Sequence, residues 1–326
     1  MNPLRAFSLA VLAMSAASAC GDDLLDRVDE ALTFSGYDEQ VRAHLSGLLD
    51  LEFYQFNGGA PGLLSTNDSN LWNSCLTLWF DAQLGTHIYL FAHARLDRGF
   101  DPSDVPLQAR LEEYAARWTP WDDARFNLQA GRFATVVGNY VEHHQSWENP
   151  FINAPLIYEH MTEIRDAGTP RYAYGYGAAA AESKYEYIPV IWGPSYATGL
   201  SVCGRLGQFD YAAELKNASL SSRPTTWDAS DHGFAYPTLS ARAGYRPNMA
   251  WALGVSASEG AYLTDQALAG LPPGTGLGDF KQYVLGQDIS FAWNHWQLWA
   301  EVYEARFDVP NVGNADSLGY YCYGPN

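Results

Sequence analysis

The chain has 326 residues, of which 47% are hydrophobic and 14% aromatic, so it can bury a large core and is not a disordered chain. It carries 19 Lys and Arg against 37 Asp and Glu, a formal net charge of −18. Because so acidic a chain repels phosphate backbones, nucleic acid is excluded as a partner. The 11 Trp and 21 Tyr suit either sugar-stacking surfaces or the aromatic girdles of a membrane barrel.

Residues 1–19 have the features of a secretory signal peptide. Arg5 precedes an apolar run that ends at Ala17, and Ala17-Ser18-Ala19 provides small residues for cleavage after Ala19. A lipoprotein with an acylated Cys20 is the alternative, and it is disfavoured because a larger aliphatic residue is usual where Ala17 stands. Residues 20–45 place leucines at helical spacing between acidic residues, which predicts a short periplasmic segment that is helical or disordered.

After this segment the hydrophobic period changes to two, as in β-strands. The even-numbered residues from Trp72 to Leu84 and from Ile88 to Leu96 are mostly apolar. Both sets fall on one face of a hairpin if the three-residue loop Gly85-Thr86-His87 closes it. The same parity argument predicts two-residue turns at Gly207-Gln208 and Asn294-His295.

Short and long connections then alternate along the chain, and the longest runs from Phe133 to Ser195. A transmembrane barrel has this arrangement, because short periplasmic turns alternate with long extracellular loops. Several Trp and Tyr residues also lie at strand ends, where girdles would be. We therefore predict an all-β fold for residues 46–326: a transmembrane antiparallel up-and-down β-barrel of about 12 or more strands, preceded by a short N-terminal helix.

Four segments carry a family resemblance: Phe80–Gly85, Arg95–Pro102, Gly131–Gly138 and Trp147–Leu156. They resemble segments of bacterial outer-membrane porins, especially the phosphate-selective-porin-like group of Gram-negative bacteria. The resemblance implies an outer-membrane location and passive diffusion of small hydrophilic solutes or ions through a lumen narrowed by an inward-folded loop. Such barrels usually finish on an aromatic residue, whereas this chain ends Tyr323-Gly324-Pro325-Asn326, so we expect the barrel to be truncated at its C-terminus.

Strand parity and loop length then assign charged side chains to the lumen. The predicted pore-lining residues are Asp81, His93, Arg95, Asp97, Arg125, Asp288 and Glu301. The predicted constriction loop carries Glu142, Glu148, Glu159, Glu163, Arg165 and Asp166, and its excess of acid indicates a weak preference for cations.

Two groups of these charges allow more than one interpretation. Arg95, Arg110 and Arg125 would either form the basic ladder of an anion pore or balance the neighbouring Asp81, Asp97 and Glu112, and the second is favoured. The turn at Asn294-His295 places Asp288 opposite Glu301, and solvation of both in a wide lumen is favoured over one carboxyl that stays protonated with a raised pKa or a cation shared by the two.

No common catalytic or nucleotide-binding motif follows a strand, so we expect no enzyme activity, no cofactor and no metal. His143-His144 is best explained as a solvated loop pair. Two alternatives stay open: an outer-membrane barrel enzyme acting on lipid, and a secreted carbohydrate-binding or glycan-degrading β protein. The expected partners are the lipid bilayer and small hydrophilic solutes or ions, with a homotrimer as a candidate assembly.

Overall fold

The computed structural model describes residues 26–55, 69–100, 106–146, 148–149, 154–170 and 186–324. The predicted signal peptide, residues 1–19, and Cys20 lie outside the described residues. Residues 26–32 are helical, and 13 strands follow in a single sheet. The strands are β1 (Thr33–Gly36), β2 (Val41–Gln55), β3 (Asn70–Leu84), β4 (Ile88–Asp97), β5 (Gln108–Trp118), β6 (Asn127–Phe133), β7 (Ala197–Leu206), β8 (Phe209–Lys216), β9 (Thr238–Tyr245), β10 (Trp251–Ala261), β11 (Lys281–Trp293), β12 (Trp296–Val309) and β13 (Gly313–Tyr323).

Short helices lie in the connections between strands. They are the 3₁₀ turns Tyr140–His143, Pro224–Thr226, Asp265–Gly270 and Leu277–Asp279 and the α-helical turns Leu156–Glu159 and Ala229–His232. Within the described part of the chain, no helix is both long and apolar enough to cross a bilayer.

Each strand pairs antiparallel with the next, which confirms the predicted all-β, up-and-down architecture. The sheet begins earlier than expected: Thr33–Gly36 pairs with Val41–His44 around a turn at residues 37–40. Among the described residues of the expected helical segment, 26–32 are helical, while the residues from Thr33 onward form strands and the turn between them, because pairing with a neighbouring strand overrides the local leucine spacing. β1 and β13 form the two edges of the sheet, and among the described residues they do not pair with each other.

The hairpin registers predicted from parity are present in the structure. Leu84 pairs with Ile88 beside Gly85, whose φ of 63° suits the turn. Gly204 pairs with Tyr211. Asp288 pairs with Glu301 across the Asn294-His295 turn, where Asn294 has a φ of 53°.

A β-bulge in β5 explains why the alternation of that strand is interrupted in the sequence. His93 pairs with Glu113 but Ala94 pairs with Leu111, so Glu112 is an extra residue. Leu111 and Tyr114 are exposed on one face, while Glu112 is buried on the other.

The connections segregate by length at the two ends of the sheet. Short turns at 37–40, 85–87, 207–208 and 294–295 lie at one end. The strand ends joined by the longer connections, at 98–107, 134–196, 217–237 and 262–280, lie at the other end. The strict alternation expected from the sequence fails once, because β12 and β13 are joined at the long-connection end by only residues 310–312.

The two faces of the sheet differ sharply in polarity. On one face, which we call the outer face, large apolar side chains are exposed, among them Leu49, Leu51, Leu78, Phe80, Leu200, Leu239, Val255, Leu285, Val302 and Leu318. On the other, the inner face, polar side chains are buried, among them Asn73, Thr77, Asp97, Gln129, Ser201, Glu214, Ser240, Ser256, Asp288 and Glu301. A sheet of a water-soluble protein has the opposite arrangement.

We call the connection between β6 and β7, residues 134–196, the inward segment, because its described residues lie against the inner face. It contacts Asp50 of β2, Glu214 of β8, Ser256 of β10 and Glu301 of β12. Because strands from both halves of the sheet contact it on the same face, the sheet curves around it. Its apolar residues form nearly half of the buried core, including Val137, Tyr158, Ile188, Ile191 and Trp192.

Candidate channel interior

A cluster of four charges lies on the inner face at the β5 bulge. Arg110 pairs with Asp97 and, at 2.8 Å, with Glu112, while Arg95 lies 3.1 Å from Asp97. The two carboxylates are almost fully buried and the two guanidinium groups are about a quarter exposed. The bulge therefore turns Glu112 towards the arginines, and each arginine balances a buried acid. This arrangement matches the charge-balancing interpretation for Arg95 and Arg110.

His93 does not line an open lumen, contrary to expectation. Its side chain is 1% exposed, stacks on Trp79 with ring centroids 5.4 Å apart, and is covered by Tyr196 of the inward segment at 6.1 Å. Asp81, also on the inner face, accepts a hydrogen bond from the Tyr89 hydroxyl. Sequence parity identified the correct face for both residues but not the segment that covers His93.

Arg125 is placed differently from the expectation. It lies in the connection between β5 and β6, with its side chain mostly exposed and paired with Asp123, and so it does not belong to the wall. Arg242 of β9, which was not predicted, lies on the inner face instead. The alternation of β9, with Leu239 and Tyr245 exposed on the outer face, is the signal that identifies it.

Asp288 and Glu301 face each other as predicted, but both are buried rather than solvated. Asp288 pairs with Arg242 at 2.6 Å, and the same guanidinium reaches Asp210 at 2.9 Å. Glu301 accepts hydrogen bonds from the inward segment. The two carboxylates can face each other because each accepts hydrogen bonds from donors of its own. Neither solvation nor a shared cation is required.

The two ends of the inward segment are held by β8. The buried Lys216 ammonium donates to the Phe133 carbonyl at 2.9 Å and lies 3.4 Å from the Ser195 carbonyl. Its partner carboxylate, Glu214 at 3.2 Å, accepts from the Thr135 hydroxyl at 2.7 Å. The ion pair of Lys216 and Glu214 thus holds the two ends of the inward segment close together, and we call this place its base.

The residues expected on the constriction loop separate into three groups. Glu142, Glu148, Glu163 and Arg165 are exposed. Asp166 is buried and pairs with Arg223 at 2.7 Å, so it joins the inward segment to the connection after β8. Glu159 is half-buried and accepts a hydrogen bond from the Ala154 amide at 2.7 Å.

Two groups of the inward segment have displaced pKa values. Burial, together with the nearby Glu52 carboxylate, raises the pKa of Glu159 to about 7. Burial lowers the pKa of His144 to about 4, so its ring is neutral near pH 7. The neutral ring donates from Nδ1 to the Val141 carbonyl at 2.5 Å and accepts from the Tyr196 hydroxyl at 3.1 Å. His144 is therefore a half-buried structural residue, not the solvated one expected.

No protein-family model and no curated protein matches the chain. Among solved structures, the outer membrane protein OpdK of Pseudomonas aeruginosa is 14% identical, with a TM-score of 0.41, over 88% of this chain and 63% of that one. OccK9 (OpdG) of the same organism is 14% identical, with a TM-score of 0.40, over 90% and 66%. OccK2 (OpdF), solved in complex with glucuronate, is 13% identical, with a TM-score of 0.39, over 89% and 62%.

The chain thus spans less than two thirds of the length of these proteins. Identities and TM-scores this low do not transfer a function. The functional argument therefore rests on the sheet of this chain and the segment inside it.

Proposed function

We propose that this protein is an outer-membrane channel through which small hydrophilic solutes or ions diffuse passively. The observation that carries the proposal is the inverted polarity of the sheet, with an exposed apolar outer face and polar side chains on the inner face. In water such an outer face would drive aggregation, whereas in a bilayer it is solvated by lipid. A sheet that curves around a polar interior then separates that interior from the hydrocarbon.

The apolar surface has the height of a bilayer core. On β11 the outward side chains from Tyr283 to Trp293 are apolar except for Gln287, and this length of tilted strand spans about 25 Å. Charged pairs border the surface at the long-connection end, Lys281 with Glu259 and Arg306 with Asp316. At the short-turn end, exposed aromatic rings mark the other border: Trp118, Tyr245, Trp251, Trp293 and Trp296.

Selectivity for phosphate is not supported by the arrangement of charges. Arg95, Arg110 and Arg242 are all paired with buried carboxylates, while several acids of the inward segment are exposed. We therefore propose a weak preference for cations. The proposed role needs no catalytic group or cofactor, and a homotrimer remains the proposed assembly.

Planar-bilayer recording tests the proposal. Purified protein added to one side of a bilayer should produce discrete, ohmic current steps in potassium chloride. Boiled protein from the same preparation is the control, because loss of the fold should abolish the steps. Protein that stays soluble without detergent and leaves bilayers insulating would favour a secreted β protein instead.

A further inference from the structure

The inward segment is held at several separate points, and one of them is on β12, four strands along the sheet from the β8 residues that hold its base. Lys216 and Glu214 hold its two ends next to β6 and β7. Glu301 of β12 holds Asn139 and Tyr158, in the stretch that we call the crossing stretch. We propose that Glu301 is the positioning residue that fixes the constriction, an inference that rests on the proposed channel function.

Three donors of the inward segment converge on the Glu301 carboxylate. Its Oε1 accepts from the Asn139 amide at 2.5 Å and from the Tyr140 amide at 3.2 Å, and its Oε2 accepts from the Tyr158 hydroxyl at 2.6 Å. The Tyr303 hydroxyl lies 2.9 Å from that of Tyr158. Glu301 is 1% exposed, so these donors take the place of water around a buried charge.

The backbone approaches this carboxylate so closely that a side chain would not fit. Gly138 has a φ of 75°, and a Cβ added there would lie 1.9 Å from the Tyr303 hydroxyl oxygen and 2.5 Å from Glu301 Oε1. The Gly138 amide donates to Ser256 at 3.1 Å, and the Asn139 side chain donates to Ser290 at 2.7 Å. The three strands β10, β11 and β12 therefore share one docking point, with Glu301 at its centre.

The neighbouring charges leave Glu301 available for this role. Asp288, directly opposite on β11, is paired with Arg242 and so does not compete for the donors of the segment. The docking point and the base are also independent, because Lys216 and Glu214 make no contact with Glu301 among the described residues. Loss of the Glu301 contacts should therefore release the crossing stretch while the ends stay attached.

Glu301→Ala tests the proposal, and Glu304→Ala is the matched control. Glu304 lies on the same strand but is exposed on the outer face. We expect Glu301→Ala to raise single-channel conductance about two-fold or more and to increase current noise, because the segment that narrows the lumen becomes mobile. Glu304→Ala should leave both quantities at the parent value.

Limited proteolysis of folded protein in detergent provides a readout that does not depend on conduction. Cleavage within residues 134–170 should become at least about ten-fold faster in Glu301→Ala, since loss of a buried acceptor for three donors favours local opening. If Glu301→Ala does not fold, Tyr158→Phe removes one donor and Glu301→Gln keeps one acceptor oxygen, and both should show smaller changes in the same direction.

The two experiments distinguish failure of the channel function from failure of the positioning role of Glu301. A parent protein that does not conduct would contradict the channel function, while faster cleavage in the variant would still support the positioning role. Variants that match the parent in both conductance and cleavage rate would overturn the role of Glu301.

Discussion

At the scale of single residues, the charge cluster at the β5 bulge gives the clearest test of stability. Arg110→Ala would leave Asp97 and Glu112 buried with only Arg95 as a partner. We expect a loss of about 3 kcal/mol, because removing one partner leaves buried charge uncompensated. The measurement is the urea midpoint of the folded band in detergent.

Arg125→Ala is the control for that experiment. Arg125 is also paired with an aspartate, but both side chains of the pair are about half exposed. Its loss should cost less than about 0.5 kcal/mol. Equal midpoints for the two variants would show that the bulge cluster does not stabilise the fold.

The same residues show what a sequence reveals and what it does not. Alternation placed Asp81, His93 and Arg95 on the correct face, because side chains in a strand alternate by covalent geometry. It also placed Asp288 opposite Glu301. It did not predict that His93 and Glu301 are buried, since the groups that cover them come from the inward segment, more than 50 positions away in the chain.

At the scale of elements, the inward segment should respond to pH through two groups with opposite signs. The pKa of Glu159 is raised to about 7, so its stabilising contribution is present below the ordinary glutamate pKa of about 4.3 and is lost as pH rises through 7. The pKa of His144 is lowered to about 4, so its contribution is present above about 6.5 and is lost as pH falls towards 4.

The pH dependences of the two contributions have opposite signs and nearly cancel between pH 4.5 and 6.5, and each contribution is at most about 3.5 kcal/mol. Single variants should separate them. Glu159→Gln should make residues 134–170 more open to protease as pH falls from 7 to 5, and His144→Gln should make them more open as pH rises over the same range. His295→Gln, in a two-residue turn, is the control. Parallel profiles for all three variants would contradict the assignment.

The sequence predicted most strands and the tight turns, but not β1 or the path of the inward segment. The strands have a period of two, and the turns at Gly85 and Asn294 need the positive φ that Gly and Asn adopt most easily, so strands and turns were predicted. β1 was missed because four residues are too few to show a period. The path of the inward segment was beyond prediction, because it is fixed by single contacts such as Asn139 with Glu301 and not by a repeating pattern.

At the scale of the whole molecule, the edges of the sheet need partners in a membrane. β1 covers only Val41–His44 of β2, so within the described residues the rest of that edge and the free side of β13 present unpaired backbone groups. Unpaired groups in hydrocarbon cost several kcal/mol each. Closure of the wall by further strand pairing stays a prediction.

Ion selectivity depends on the summed charge of the lumen. Arg95, Arg110 and Arg242 of the inner face are paired with buried acids, and several acids of the inward segment are exposed. In a ten-fold potassium chloride gradient, the sign of the reversal potential should therefore indicate a weak preference for cations. Glu142→Gln together with Glu163→Gln should move that potential towards zero. A reversal potential that shows anion preference would assign selectivity to the arginines instead.

The central claim is that the apolar face of the sheet contacts lipid and the polar face contacts water. Labelling single cysteines in proteoliposomes, after replacing the natural cysteines by serine, tests it most directly. Cysteines at Leu78 and Val302, on the outer face, should react with a lipid-soluble maleimide and resist a charged one. Cysteines at Asp81 and Tyr89, on the inner face, should show the reverse. Rapid reaction of the Leu78 and Val302 positions with the charged reagent would contradict the account.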